Sequence, residues 1–127
     1  MAVFTDAQTD AINAQGGSVL VSAAAGSGKT TVLIERIIRM ITRRENPIDV
    51  DRLLIVTFTR AAASEMKERL AKAINSLLEN DPYNSLLLRQ RQLMYNTSIC
   101  TIDSFCGSVV RAVSYTHLRA HETPEHL

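Results

Sequence analysis

The residue types best suited to chemistry stand together near the start of the chain: Ala23, Ala24, Ala25, Gly26, Ser27, Gly28, Lys29 and Thr30. Side chains this small let a backbone curl tightly, so that successive N–H groups point into one concavity and hold an anion. Lysine and threonine at the end of the run add a positive charge and a hydroxyl. The pattern is that of a phosphate-binding loop, GxxxxGK[ST], with Ala23 in place of the first glycine. Alanine is small enough there if the position does not need a positive φ. Lys29 would reach the β- and γ-phosphates of a nucleotide, Thr30 would hold Mg²⁺, and Thr31 extends the same turn.

Such a loop works only between a strand and a helix, and both are predicted. Residues 18–22 (Ser-Val-Leu-Val-Ser) follow Gly16-Gly17 and read as a short buried strand. From about Lys29, Leu33, Ile34, Ile37, Ile38 and Ile41 keep helical spacing. Upstream, Thr5-Asp6-Ala7-Gln8 has the form of a capping box and opens a first short helix. Downstream, residues 52–58 read as a second buried strand. A long helix follows from about Arg60 to Glu79, with Ala62, Met66, Leu70, Ala73 and Leu77 on one face. Asp81-Pro82 is expected to start another helix, reaching about Met94. Ser98-Ile99-Cys100-Thr101 reads as a third strand, with a helix over residues 104–113. Strands alternating with helices predict an α/β fold with a parallel sheet and flanking helices.

Bulk properties add little and exclude some classes. The chain has 127 residues, with 46% apolar residues, 21% charged residues and a net charge of +1. That is the balance of one soluble domain, and any nucleic-acid binding must come from local geometry rather than a basic surface. No apolar run approaches the roughly 18 residues a membrane span needs. The start of the chain lacks the marks of a signal peptide, so no membrane role is expected and a cytoplasmic location is the default. Cys100 and Cys106 fit neither a zinc spacing nor a disulfide framework and read as core thiols.

Four stretches in order, FTDAQTDAI, VSAAAGSGKTTVL, DRLLIVTFTRAAASEMKERL and TSICTIDSFC, resemble the UvrD/Rep-like superfamily 1 DNA helicases. Among these the chain is most similar to the AddA type, one of the two subunits of bacterial ATP-dependent helicase/nucleases. The resemblance covers about residues 4–113. It implies the first part of a RecA-like P-loop NTPase domain, motor domain 1A, with an incomplete sheet. It also implies ATP-driven translocation on single-stranded DNA in double-strand break repair and recombination. ATP and Mg²⁺ would be the cofactors, single- and double-stranded DNA the substrates, and the other subunit of the helicase/nuclease heterodimer the partner.

Residue by residue, the resemblance places Gln8 at the motif that reads the adenine edge, beside its capping role. Residues 23–31 match the ATP loop. Thr57, Phe58, Thr59, Arg60 and Ala61 match a motif that meets single-stranded DNA, and Thr101, Asp103, Ser104 and Phe105 match a second DNA contact. Hydroxyls and N–H groups at helix starts suit phosphate oxygens. Phe58 would either stack on a base or sit in the core; for Phe105 the core is the favoured reading. Two positions depart from the pattern. Asp103 stands where many relatives have histidine, where it would repel phosphate and is better placed to cap the next helix. Arg60 replaces a frequent asparagine and adds a cation beside the DNA path.

The family's DExx motif, later arginines, second motor domain and nuclease domain are not found in these residues. Without the DExx strand the sheet is expected to have open edges, and the polypeptide alone to be marginally stable, aggregation-prone and nearly inactive in hydrolysis. Residues 114–127 do not fit the family and look like adapter-derived sequence, expected to be disordered. Within them, His121 and His126 are one residue too far apart for a zinc-binding HExxH. Two other readings stay open. A small P-loop kinase would leave TFTRAAASEM without a role, and a non-enzymatic domain would use the loop only structurally.

Overall fold

The computed structural model describes residues 3–22 and 28–125, with side chains as far as residue 114. Five helices are formed among these residues: α1 (Asp6–Asn13), α2 (Lys29–Thr42), α3 (Arg60–Asn80), α4 (Ser85–Leu93) and α5 (Ile102–Glu125). Two short strands, β1 (Leu54–Thr57) and β2 (Ser98–Thr101), make a parallel sheet. The fold is α/β, as expected.

The start of α1 follows from its capping box. Thr5 Oγ1 accepts from the Gln8 amide at 3.2 Å, and Gln8 Oε1 accepts from the Thr5 amide at 2.9 Å. Beyond its end, Gly16 and Gly17 adopt φ of +75° and +82°, which only glycine enters freely. Arg36 of α2 donates from Nη1 to the carbonyls of Ala11 at 2.8 Å and Ala14 at 2.7 Å. These bonds satisfy end carbonyls of α1 and clamp it onto α2.

Helices α2, α3 and α4 surround the core, in which Ile41, Val50, Leu70 and Ile74 are fully enclosed. The buried stripe of α3 is Ala63, Met66, Leu70, Ile74 and Leu78, one position round from the expected face at three points. Ile74 and Leu78 fill more volume than Ala73 and Leu77 would, and the helix turns to bury them. In α2 it is Val32 rather than Leu33 that faces inward. Helix α4 begins at Ser85, later than Pro82, because Asn84 Oδ1 accepts from the amides of Leu86 and Leu87 and fixes the start there.

Three expectations are corrected. Residues 18–22 form no strand, and Leu20 is 95% exposed. A strand exists only against a neighbour, and β1 pairs with β2 alone. Second, β1 is not buried on both faces: Ile55 points into the core while Leu54 and Val56 are 49% and 43% exposed. Third, the last helix does not stop at Val113 but continues to Glu125. No proline or glycine lies between Gly107 and Pro124, so nothing breaks it earlier. No helix among the described residues is long and apolar enough to cross a membrane.

A polar knot joins the residues before β1 to α4. Gln90, fully buried, accepts from the Val50 amide at 2.8 Å and donates to Asp49 Oδ1 at 2.9 Å. Arg89 grips Asp49 with two bonds of 3.2 and 2.9 Å. The hydrogen bonds from Arg89 and then Gln90 hold the Asp49 carboxyl at a pKa of about 2, below its usual 3.8. A carboxylate depressed on folding stabilises the fold above its unfolded pKa, and that stability fades as pH falls toward the folded value. The expected result for Asp49→Asn is therefore a flatter stability profile between about pH 4 and pH 2, measured as urea midpoint against pH. A parent and variant with parallel profiles would contradict it.

Candidate nucleotide site and nucleic-acid edge

Residues 23–27 lie outside the described residues, so the loop itself is represented by its end, Gly28, and by helix α2. Gly28 is the N-cap of α2, with φ +81° and no side-chain cap. A side chain at Gly28 would be strained by that φ, and its Cβ would come within 3.5 Å of Gln8 Nε2. Gln8 and the end of the loop are thus neighbours although 20 residues separate them. Thr5, Ala7, Gln8, Ala11, Val21, Ser22, Lys29 and Val32 enclose a cavity of about 300 Å³. It is mainly apolar, with the Gln8 amide and the Lys29 ammonium as polar features: a surface for a flat ring and a charge for an anion.

The start of α2 breaks an electrostatic rule that α1 obeys. Helix α1 carries Asp6 in its first turn, where a negative side chain complements the helix dipole. Helix α2 has no acid in its first turn and has Lys29 there instead. A cation at that end is unfavourable until an anion arrives, and the uncapped amides wait for the same partner. Lys29 is exposed, and Thr30 and Thr31 are half-buried beside it. The residues present therefore fit a nucleotide triphosphate and its metal ion.

The second group of predicted residues lies at the carboxyl ends of the strands. Thr57 and Thr101 are register partners, the last pair of the ladder. Thr57 Oγ1 donates to the Thr59 carbonyl at 2.9 Å, and Thr59 Oγ1 caps α3 by accepting from the Ala62 amide at 3.1 Å. Thr101 Oγ1 accepts from the Ser104 amide at 3.1 Å and donates to Ser104 Oγ at 2.9 Å. Thr101, and not Asp103, therefore caps α5; Asp103 sits in its first turn. Phe58 is 90% exposed, so the core reading fails for it. Phe105, expected in the core, is 37% exposed and only partly covered. Arg60 opens α3 and is exposed. The adjacent strand ends thus carry two helix starts, an open aromatic face and one cation on a single edge. Cys100 is half-buried and Cys106 exposed; both are free thiols rather than core residues.

A family model described as the UvrD/REP helicase N-terminal domain matches residues 4–123. The chain belongs to this family. A relative from Thermoanaerobacter sp. (strain X514), named as the AddA-type subunit of an ATP-dependent helicase/nuclease, is 55% identical over 108 residues, which are 85% of this chain and 9% of that protein. Proteins of the same name from Clostridium perfringens (strain 13 / Type A) and Anoxybacillus flavithermus are 56% and 54% identical, over 85% and 88% of this chain. The chain spans 8–9% of the length of these relatives. As a UvrD/REP helicase N-terminal domain, it has the P-loop helicase fold.

Three residues with structural weight went unnoticed in the sequence: Arg36, Arg69 and Gln90. Each bonds to a group more than 20 residues away. Neither helical nor strand spacing carries information about such pairs.

Proposed function

We propose that this chain is the ATP-binding front part of one subunit of an ATP-dependent DNA helicase/nuclease, with residues 1–113 belonging to its first motor domain. Gln8 would read the adenine edge. Residues 23–31 would enclose the phosphates, with Lys29 neutralising their charge and Thr30 holding Mg²⁺. Bound magnesium would neutralise charge on the β- and γ-phosphates. Thr57, Phe58, Thr59, Arg60, Thr101, Ser104 and Phe105 would meet single-stranded DNA, Phe58 by stacking on a base. Asp103 works against phosphate at that edge. The intact protein would translocate on DNA in break repair with a second subunit.

The observation that carries this reading is that Gln8 and Lys29 border one cavity at the uncapped start of α2. The kinase alternative loses ground because the TFTR segment exposes its aromatic at a strand end rather than covering an acceptor site.

A single substitution separates the two roles of Gln8. Gln8→Glu keeps an oxygen to accept from the Thr5 amide but removes the amide donor. Its expected result is unchanged thermal stability together with loss of the preference for ATP over GTP, worth roughly tenfold for one hydrogen bond of about 1 kcal/mol or more. Competition titrations with both nucleotides measure it. A variant that keeps the preference would show that Gln8 serves only the capping box.

A further inference from the structure

One side-chain contact links the first turn of α2 to α3. Arg69 donates from Nη2 to Thr31 Oγ1 at 2.9 Å, across 38 residues of sequence. Thr31 lies two residues after Lys29. Helix α3 starts at Arg60, with Thr59 as its cap and the exposed Phe58 just before. Arg69 stands nine residues in, about 14 Å along the axis at 1.5 Å per residue. One stiff helix therefore runs from the proposed nucleic-acid edge to the turn that follows the phosphate loop.

The partner Arg69 takes is not the obvious one. Glu65 stands four residues before it on the same helix, the spacing at which a carboxylate ordinarily meets a guanidinium. Among the described residues the ion pairs are Arg39–Glu35 and Arg89–Asp49. Arg69 instead crosses to a hydroxyl, half-buried and with no carboxylate against it. Its planar fork has a fixed direction, so the bond is satisfied in a narrow range of positions of α2 relative to α3.

We infer that Arg69 is a positioning residue that couples the phosphate end of α2 to the nucleic-acid end of α3 through Thr31. The inference rests on the proposed function. A ligand that draws the first turn of α2 into one position favours the matching position of α3, and the converse holds for a strand bound at the start of α3. The two affinities must then depend on each other by one common factor.

The test is a thermodynamic cycle on the full chain. ATP·Mg²⁺ affinity is measured with and without a saturating oligothymidylate, for the parent, Arg69→Gln, Arg69→Lys, Thr31→Ser and Thr31→Val. The parent is expected to show a coupling of about fivefold or more. Arg69→Gln and Thr31→Val are expected to bring that factor to about one, whatever they do to either affinity alone. Arg69→Lys and Thr31→Ser, which keep a donor and an acceptor, are expected to retain part of it. A purely structural role would lower stability and leave the factor unchanged. Coupling that persists in Arg69→Gln, or a parent that binds both ligands independently, overturns the inference. A parent that binds neither ligand overturns the proposed function with it. Should Arg69→Gln lose its far-UV signal, Thr31→Val decides, since valine keeps threonine's shape and removes only the acceptor.

Discussion

Replacing Lys29 with alanine is expected to weaken ATP binding roughly 10- to 100-fold while leaving the fold slightly more stable. The first effect is the loss of a charge-assisted contact to phosphate, worth about 1.5–3 kcal/mol. The second follows from the same charge. Lys29 is exposed in the first turn of α2, which has no acid and no side-chain cap. A cation there opposes the helix dipole by about 0.3–1 kcal/mol, and alanine is the better helix former. Binding and stability should therefore move in opposite directions. Isothermal titration with ATP·Mg²⁺ gives the first and a urea melt the second. Unchanged affinity in the variant would leave the loop a structural feature and favour the non-enzymatic reading.

The largest expected effect on stability comes from Gln90→Leu. Leucine fills nearly the same space, so little of the effect comes from a cavity. What remains is polar: the Val50 amide loses its acceptor and Asp49 loses one of its donors. An orphaned buried amide costs about 1–3 kcal/mol. Against a total stability of about 5–15 kcal/mol for an ordinary domain, that is a large fraction. This chain should feel it more, because its sheet has two strands and exposes Leu54 and Val56 on one face. The expected result is a clear drop in urea midpoint with an unchanged slope. A midpoint within error of the parent would mean that the buried knot contributes nothing net.

Much of the local structure was legible because local rules decide it. The capping box at Thr5 and Gln8, the glycine stop at Gly16-Gly17, the start of α2 after Gly28 and the bounds of α3 all depend on neighbours within four residues. The strand at Ser98–Thr101 was legible for a related reason, since β-branched residues follow a polar break. Errors came where a partner decides. Residues 18–22 have the composition of a buried strand and no neighbour to pair with, and residues 52–58 gave a shorter strand with one bare face. The helical stripe of α3 was off by one position because volume in the core, rather than spacing alone, selects which residue turns inward.

The sequence by itself determined the chemistry available to this protein: small residues before Lys29 and Thr30, a glutamine upstream and hydroxyls after two strands, in an order that the UvrD/REP family match supports. Those are properties of residue type and order, and they need no coordinates. Only the tertiary structure decided what stands beside what. It brought Gln8 against Gly28, laid Thr57 beside Thr101, turned Phe58 to solvent, made Thr101 rather than Asp103 the cap of α5, and joined Arg69 to Thr31. The reason is physical: such contacts join residues distant in sequence, and they form only when burial of the core fixes how the helices lie on the sheet.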